Sequence, residues 1–79
     1  METDDYSSDS RFGRWLRQQR ITSGLSLKQA SLKTGINEER IKALEIGYAV
    51  RGITQNESER LANAYKVSLN EFISMALSA

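Results

Sequence analysis

The side chains best placed to do chemistry are crowded into one short stretch, NEERIKALE, from Asn37 to Glu45. Asn37, Glu38, Glu39, Arg40 and Lys42 offer an amide, two carboxylates, a guanidinium and an ammonium within six positions. Ile41 and Leu44, with Ala43 beside them, recur at helical spacing, so a helix here buries one side and presents the polar groups on the other. Such a helix, held by an apolar back, is suited to enter a groove.

Bond-making chemistry has little to work with. The chain contains no histidine and no cysteine, which removes zinc sites, thiolate chemistry, disulfides and histidine general-base catalysis. It has no glycine-rich phosphate loop either. No cofactor, metal or small-molecule substrate is therefore expected, and the chain is read as a non-enzyme.

The helix has to be positioned by a small frame. Seventy-nine residues imply one domain, because a chain this short buries only about 60% of its unfolded surface. No apolar run approaches the ~20 residues of a membrane span, and the acidic start METDDYSSDS is unlike a signal peptide, so a cytoplasmic location is expected and no membrane contact. Net charge is +1, but it is unevenly distributed. Glu2, Asp4, Asp5 and Asp9 lie in the first nine residues without a basic partner, so residues 10–79 carry 11 basic against 6 acidic side chains, a balance of +5. That is a modest electrostatic footprint for nucleic acid. Residues 1–8 have little to bury and are expected to be a disordered acidic tail, with a domain over 9–79.

Capping signals divide that domain into five helices. Asp9 or Ser10 can start a first helix through RFGRWLRQQRI, in which Phe12, Leu16 and either Gln19 or Arg20 share a face and Trp15 lies at its edge. Ser26 and Gln29 form a capping box for a second helix, with Leu27, Ala30, Ser31 and Thr34 inward and Leu32 on a side that is usually polar. Gly35 stops that helix and Asn37 caps the third, so Gly24 to Gly47 reads as two short helices joined by a tight turn. Thr54 with Glu57, and Ser68 with Glu71, mark the fourth and fifth. Nothing alternates with period two. The expected fold is all-α.

The ordered set of Gly13, Leu16, Arg17 and Arg20, then GLSLKQA, TGIN, Ile41, Leu44, Glu45 and Gly47, and finally Leu61, Ala64, Val67 and Leu69 resembles the Cro/CI-type, or XRE, helix-turn-helix regulators. The likeness covers about Phe12 to Met75 and implies a compact five-helix, lambda-repressor-like domain whose helices 2 and 3 form the helix-turn-helix. The chain departs from the family's pattern at Ala30 and Ser31, where a leucine followed by an alanine is usual. It departs again at Ala49 and Val50, in a loop commonly rich in lysine and arginine.

The resemblance implies double-stranded DNA as partner, helix 3 as the major-groove reader, and Asn37, Glu38, Glu39, Arg40 and Ala43 as the positions reaching base edges. Nine helical residues rise about 13 Å, enough for the first two turns to span roughly four base pairs. A glutamate there can accept from cytosine N4, whereas Arg40 suits guanine unless it pairs with Glu38 or Glu39. Ala43 can contact a thymine methyl. Phosphate contacts are implied for Ser26, Lys28, Lys42, Tyr48 and Arg51; four neutralised phosphates would give a log-affinity against log-salt slope near ~3.6. Arg20 and Glu45 stand where members of the family form a structural ion pair. A homodimer on an inverted repeat is expected, with Phe72, Met75 and Leu77 as candidate dimer contacts. The competing reading is a protein-interaction module on the same scaffold, motivated by Glu38, Glu39, Leu32 and the apolar run from Tyr48 to Val50.

Overall fold

A computed structural model describes residues 10–47 and 52–77. Its elements are α1 (Arg11–Thr22), α2 (Leu27–Thr34), α3 (Glu38–Ile46), α4 (Gln55–Tyr65) and α5 (Leu69–Leu77), and no strand occurs among the described residues. Each start is fixed by a side-chain oxygen that takes an otherwise unpaired helical N–H. The Ser10 hydroxyl accepts from Gly13 N at 3.0 Å, resolving the choice between Asp9 and Ser10 as first cap. Both halves of the expected boxes form at Ser26–Gln29 and Thr54–Glu57. Asn37 Oδ1 accepts from Glu39 N at 2.8 Å, and Ser68 Oγ from Glu71 N at 3.0 Å.

The helices close around one apolar centre. Phe12 and Leu16 from α1, Ile41 and Leu44 from α3, Leu61 from α4 and Phe72 from α5 are fully buried there, with Leu27, Ala30, Ile36, Ala62, Ala64 and Tyr65 around them. Trp15 is edge packing, as expected. Its ring meets Phe72 edge-on at 5.6 Å, and Phe12 meets Phe72 edge-on at 5.4 Å, geometries that suit the aromatic quadrupole. Phe72 is therefore a core residue. Because none of its side chain reaches the surface, the structure removes it from the candidate dimer contacts.

The architecture serves α3. That helix packs on α1 and α2, α4 lies on α2 and α5, and α5 returns to α1. At its far end α3 stops at Gly47, whose φ of +110° suits a residue without a side chain, and a Cβ there would stand 2.9 Å from Ser10 Cβ. The end of α3 is thus seated against the cap of α1.

Candidate nucleic-acid interface

The turn that delivers α3 is built from Thr34 to Asn37. The Thr34 hydroxyl donates to Ala30 O at 2.8 Å and accepts from Ile36 N at 3.1 Å, while Gly35, at φ +76°, returns its N–H to Ser31 O. Ile36 plugs the core beneath. From α4, Arg60 Nη1 donates to Thr34 O at 2.9 Å, and its Nε is held by Asn56 Oδ1 at 2.8 Å. This clamp has no precursor in the sequence reading, which does not single out Arg60; the hint was an asparagine four residues before it on the same helical face.

On α3 the inner and outer faces separate cleanly. Ile41, Leu44 and Glu45 are fully buried, Asn37 and Glu39 are exposed, and Glu38 and Ala43 are half-buried. Each of the expected base-reading positions Asn37, Glu38, Glu39 and Ala43 therefore keeps some accessible surface, Glu39 and Ala43 being farthest from the buried face. Glu38 and Glu39 also sit in the first turn, where carboxylates favour the helix dipole by about 0.3–1 kcal/mol each.

The Arg20–Glu45 pair forms as the resemblance implied. Arg20 Nε donates to Glu45 Oε2 at 2.7 Å and Nη2 to Oε1 at 3.1 Å, with both side chains at 1% exposure or less. Arg20 Nη1 donates to Leu25 O at 2.8 Å, so one guanidinium joins α1, the loop before α2, and the last turn of α3. Such two-pronged pairing fixes direction as well as distance.

Arg40 has a partner that was not expected. Its Nε and Nη2 donate to the two carboxylate oxygens of Glu57 at 2.9 Å each, and Nη2 also reaches Gly52 O at 3.1 Å. Arg40 was expected to suit guanine unless it paired with Glu38 or Glu39; it is paired, but with Glu57, since side chains one and two positions apart on a helix do not face each other. The Arg40 hydrogen bonds hold the Glu57 carboxyl below its ordinary value, helped by the backbone N–H of Thr54; in return Glu57 raises the Arg40 guanidinium above its own. A two-nitrogen fork from Arg40 onto guanine would require breaking these bonds.

Of the implied phosphate contacts, Ser26 stands at the start of α2 with its hydroxyl accepting from Gln29 N, Lys28 is exposed in the first turn of that helix, and Lys42 is half-buried on α3. Tyr48 and Arg51, like Ala49, Val50 and the acidic residues 1–8, lie outside the described residues. Leu32 is 78% exposed, an apolar side chain left on the surface of α2. Leu77 is 82% exposed and Met75 half-buried against the core. An open depression of about 430 Å³ between the ends of α2 and α4 is lined by Lys33, Thr34, Arg60, Asn63, Ala64 and Lys66. No carboxylate faces it, so it offers no acid–base pair. Among the described residues no cluster of three or more potential metal ligands occurs, and no helix is long and apolar enough to cross a membrane.

Five helices with a clamped turn between α2 and α3 define a helix-turn-helix protein. The helix-turn-helix family model of the XRE, Cro/CI-like type matches residues 16–72, and the chain belongs to that family, one of DNA-binding transcription regulators rather than enzymes. Neither a curated protein nor a solved structure matches it.

Proposed function

We propose that this chain is a sequence-specific DNA-binding regulator that inserts α3 into the major groove and acts as a homodimer on an inverted repeat. The observation that carries this reading is the surface left accessible at Asn37, Glu38, Glu39 and Ala43 on a helix whose inner face is fixed by Ile41, Leu44 and the Arg20–Glu45 pair. The major groove is the one that presents a distinct donor and acceptor pattern for each base pair, and it admits a helix of this size. With Arg40 engaged by Glu57, the first turn of α3 is rich in acceptors. Carboxylates there favour cytosine N4, at about 1–3 kcal/mol of discrimination for a well-formed pair, while opposing nearby phosphates. Ser26, Lys28, Lys42, Tyr48 and Arg51 are the proposed backbone anchors. Met75 and Leu77, at the end of α5, are the proposed dimer contacts.

Selection of bound sequences from a random duplex pool at low salt tests the whole reading. Enrichment of an inverted repeat with half-sites about one helical turn apart and cytosines within them supports it. Absence of enrichment, with no retardation of random duplex, sinks it. A second reading, a protein-interaction module on the same scaffold, is favoured by the exposed Leu32 on α2 together with the acidic first turn of α3. It gains if DNA is not retained and Leu32→Ser abolishes capture of a partner that wild-type protein retains.

A further inference from the structure

The geometry points to Arg40 as a positioning residue that sets how α3 lies against α4, and so the angle at which α3 meets DNA, instead of a residue that reads a base. The inference rests on the reading of α3 as the major-groove helix. Two arginine–glutamate pairs grip that helix near its two ends. At the C-terminal end α3 supplies the carboxylate, Glu45, to Arg20 of α1; in the first turns it supplies the guanidinium, Arg40, to Glu57 of α4. α3 packs chiefly on α1 and α2 and shares the core with α4, and toward α4 this pair adds a directional polar tie.

Glu57 is itself anchored. Its Oε1 accepts from Thr54 N at 3.0 Å and its N–H donates to Thr54 Oγ1, so the carboxylate that holds Arg40 is locked to the first turn of α4. Nη2 of Arg40 adds Gly52 O, just ahead of that turn. One guanidinium therefore fixes α3 to the exit of the following connection at three acceptor contacts. Reading guanine takes donors from two nitrogens in a fork; Glu57 occupies Nε and Nη2, and Gly52 O takes the second Nη2 N–H, so neither fork of the guanidinium stays whole and only Nη1 is left. Releasing the pair would leave the Glu57 carboxylate bare on a surface approaching phosphates.

The two roles give opposite signs for Glu57→Gln. If Arg40 is a base reader restrained by Glu57, the variant frees it and binding tightens. If Arg40 positions α3 through Glu57, the variant keeps a capping oxygen at Thr54, loses the charged fork, and binding weakens. Removing a carboxylate also reduces repulsion of DNA generally, so Glu59→Gln, on the same helix and bonded locally to Gln55, supplies the electrostatic baseline. Affinities of the full chain for its selected duplex, and base preferences from the same random pool, are measured where circular dichroism shows every variant folded. Expected are a two- to fivefold weaker affinity for Glu57→Gln than for Glu59→Gln, the size of a partly exposed charge pair, a double Arg40→Ala/Glu57→Gln no weaker than Arg40→Ala, and base preferences unchanged at every position. Affinity of Glu57→Gln equal to or above that of Glu59→Gln overturns the proposal, as does relaxed preference at one base pair in Arg40→Ala. Failure of the wild-type chain to bind any duplex would instead remove the DNA reading itself, an outcome separable from both.

Discussion

Replacing Arg20 with methionine should be among the most damaging single changes in the chain. The substitution deletes three donated bonds, at 2.7, 3.1 and 2.8 Å, and leaves the fully buried Glu45 carboxylate without its guanidinium. Breaking one side of a buried pair costs about 3–5 kcal/mol. At about 0.05–0.15 kcal/mol per residue, a domain of this length has roughly 4–12 kcal/mol in total, so Arg20→Met should lower the melting temperature by tens of degrees or leave the chain largely unfolded. Glu45→Leu should be comparably harmful, eased somewhat because Arg20 keeps Leu25 O. The double Arg20→Met/Glu45→Leu exchanges a buried charge pair for apolar volume and should lie within about 1–2 kcal/mol of wild type, the residue of the cost being the lost donor to Leu25 O. Urea denaturation followed by circular dichroism measures all four corners of the cycle. Additive losses, or single losses below about 1 kcal/mol, would refute the idea that this pair holds α3 by mutual charge compensation.

Other expectations follow from the same geometry. Because the folded carboxyl of Glu57 is held below its unfolded value, its contribution is fully present above about pH 4.5 and is lost as pH falls through the lower folded value; the urea-midpoint gap between wild type and Glu57→Gln should therefore shrink on acidification from pH 6 to 3. Gly47→Ala meets both a φ of +110° and Ser10 Cβ at 2.9 Å, whereas Gly24→Ala meets a φ of +75° and open space, so the first should cost about 2–3 kcal/mol and the second about 1 in the same denaturation assay. Phe72→Ala should destabilise by about 3–5 kcal/mol through its cavity, while Leu77→Glu should leave the melt unchanged and, if α5 forms the dimer contact, shift sedimentation to the monomer.

The helix starts were legible in the sequence because capping is local: a hydroxyl or amide and an N–H two or three positions on decide it, as at Ser10, Ser26, Asn37, Thr54 and Ser68. Arg20 turning inward was legible from periodicity, and its partner from resemblance. The partner of Arg40 was not, because Glu57 lies 17 residues away and local reasoning offered only a guanine contact or, as the exception, the glutamates beside it. Phe72 was ambiguous for a related reason. An apolar helix face near a chain end is equally suited to a core and to a partner, and only the edge-on meeting with Phe12 and Trp15 decides between them.

If α3 reads DNA as proposed, its wiring also limits how its specificity can be exchanged. Glu38, Glu39 and Ala43 can be replaced without disturbing the grip on α1 or α4, and Asn37 tolerates other capping side chains. Position 40 belongs to two helices at once. A recognition sequence transplanted from another regulator would arrive at the right place only if it kept this arginine or brought its own counterpart for Glu57, so the reading edge behaves as a cartridge with one soldered pin.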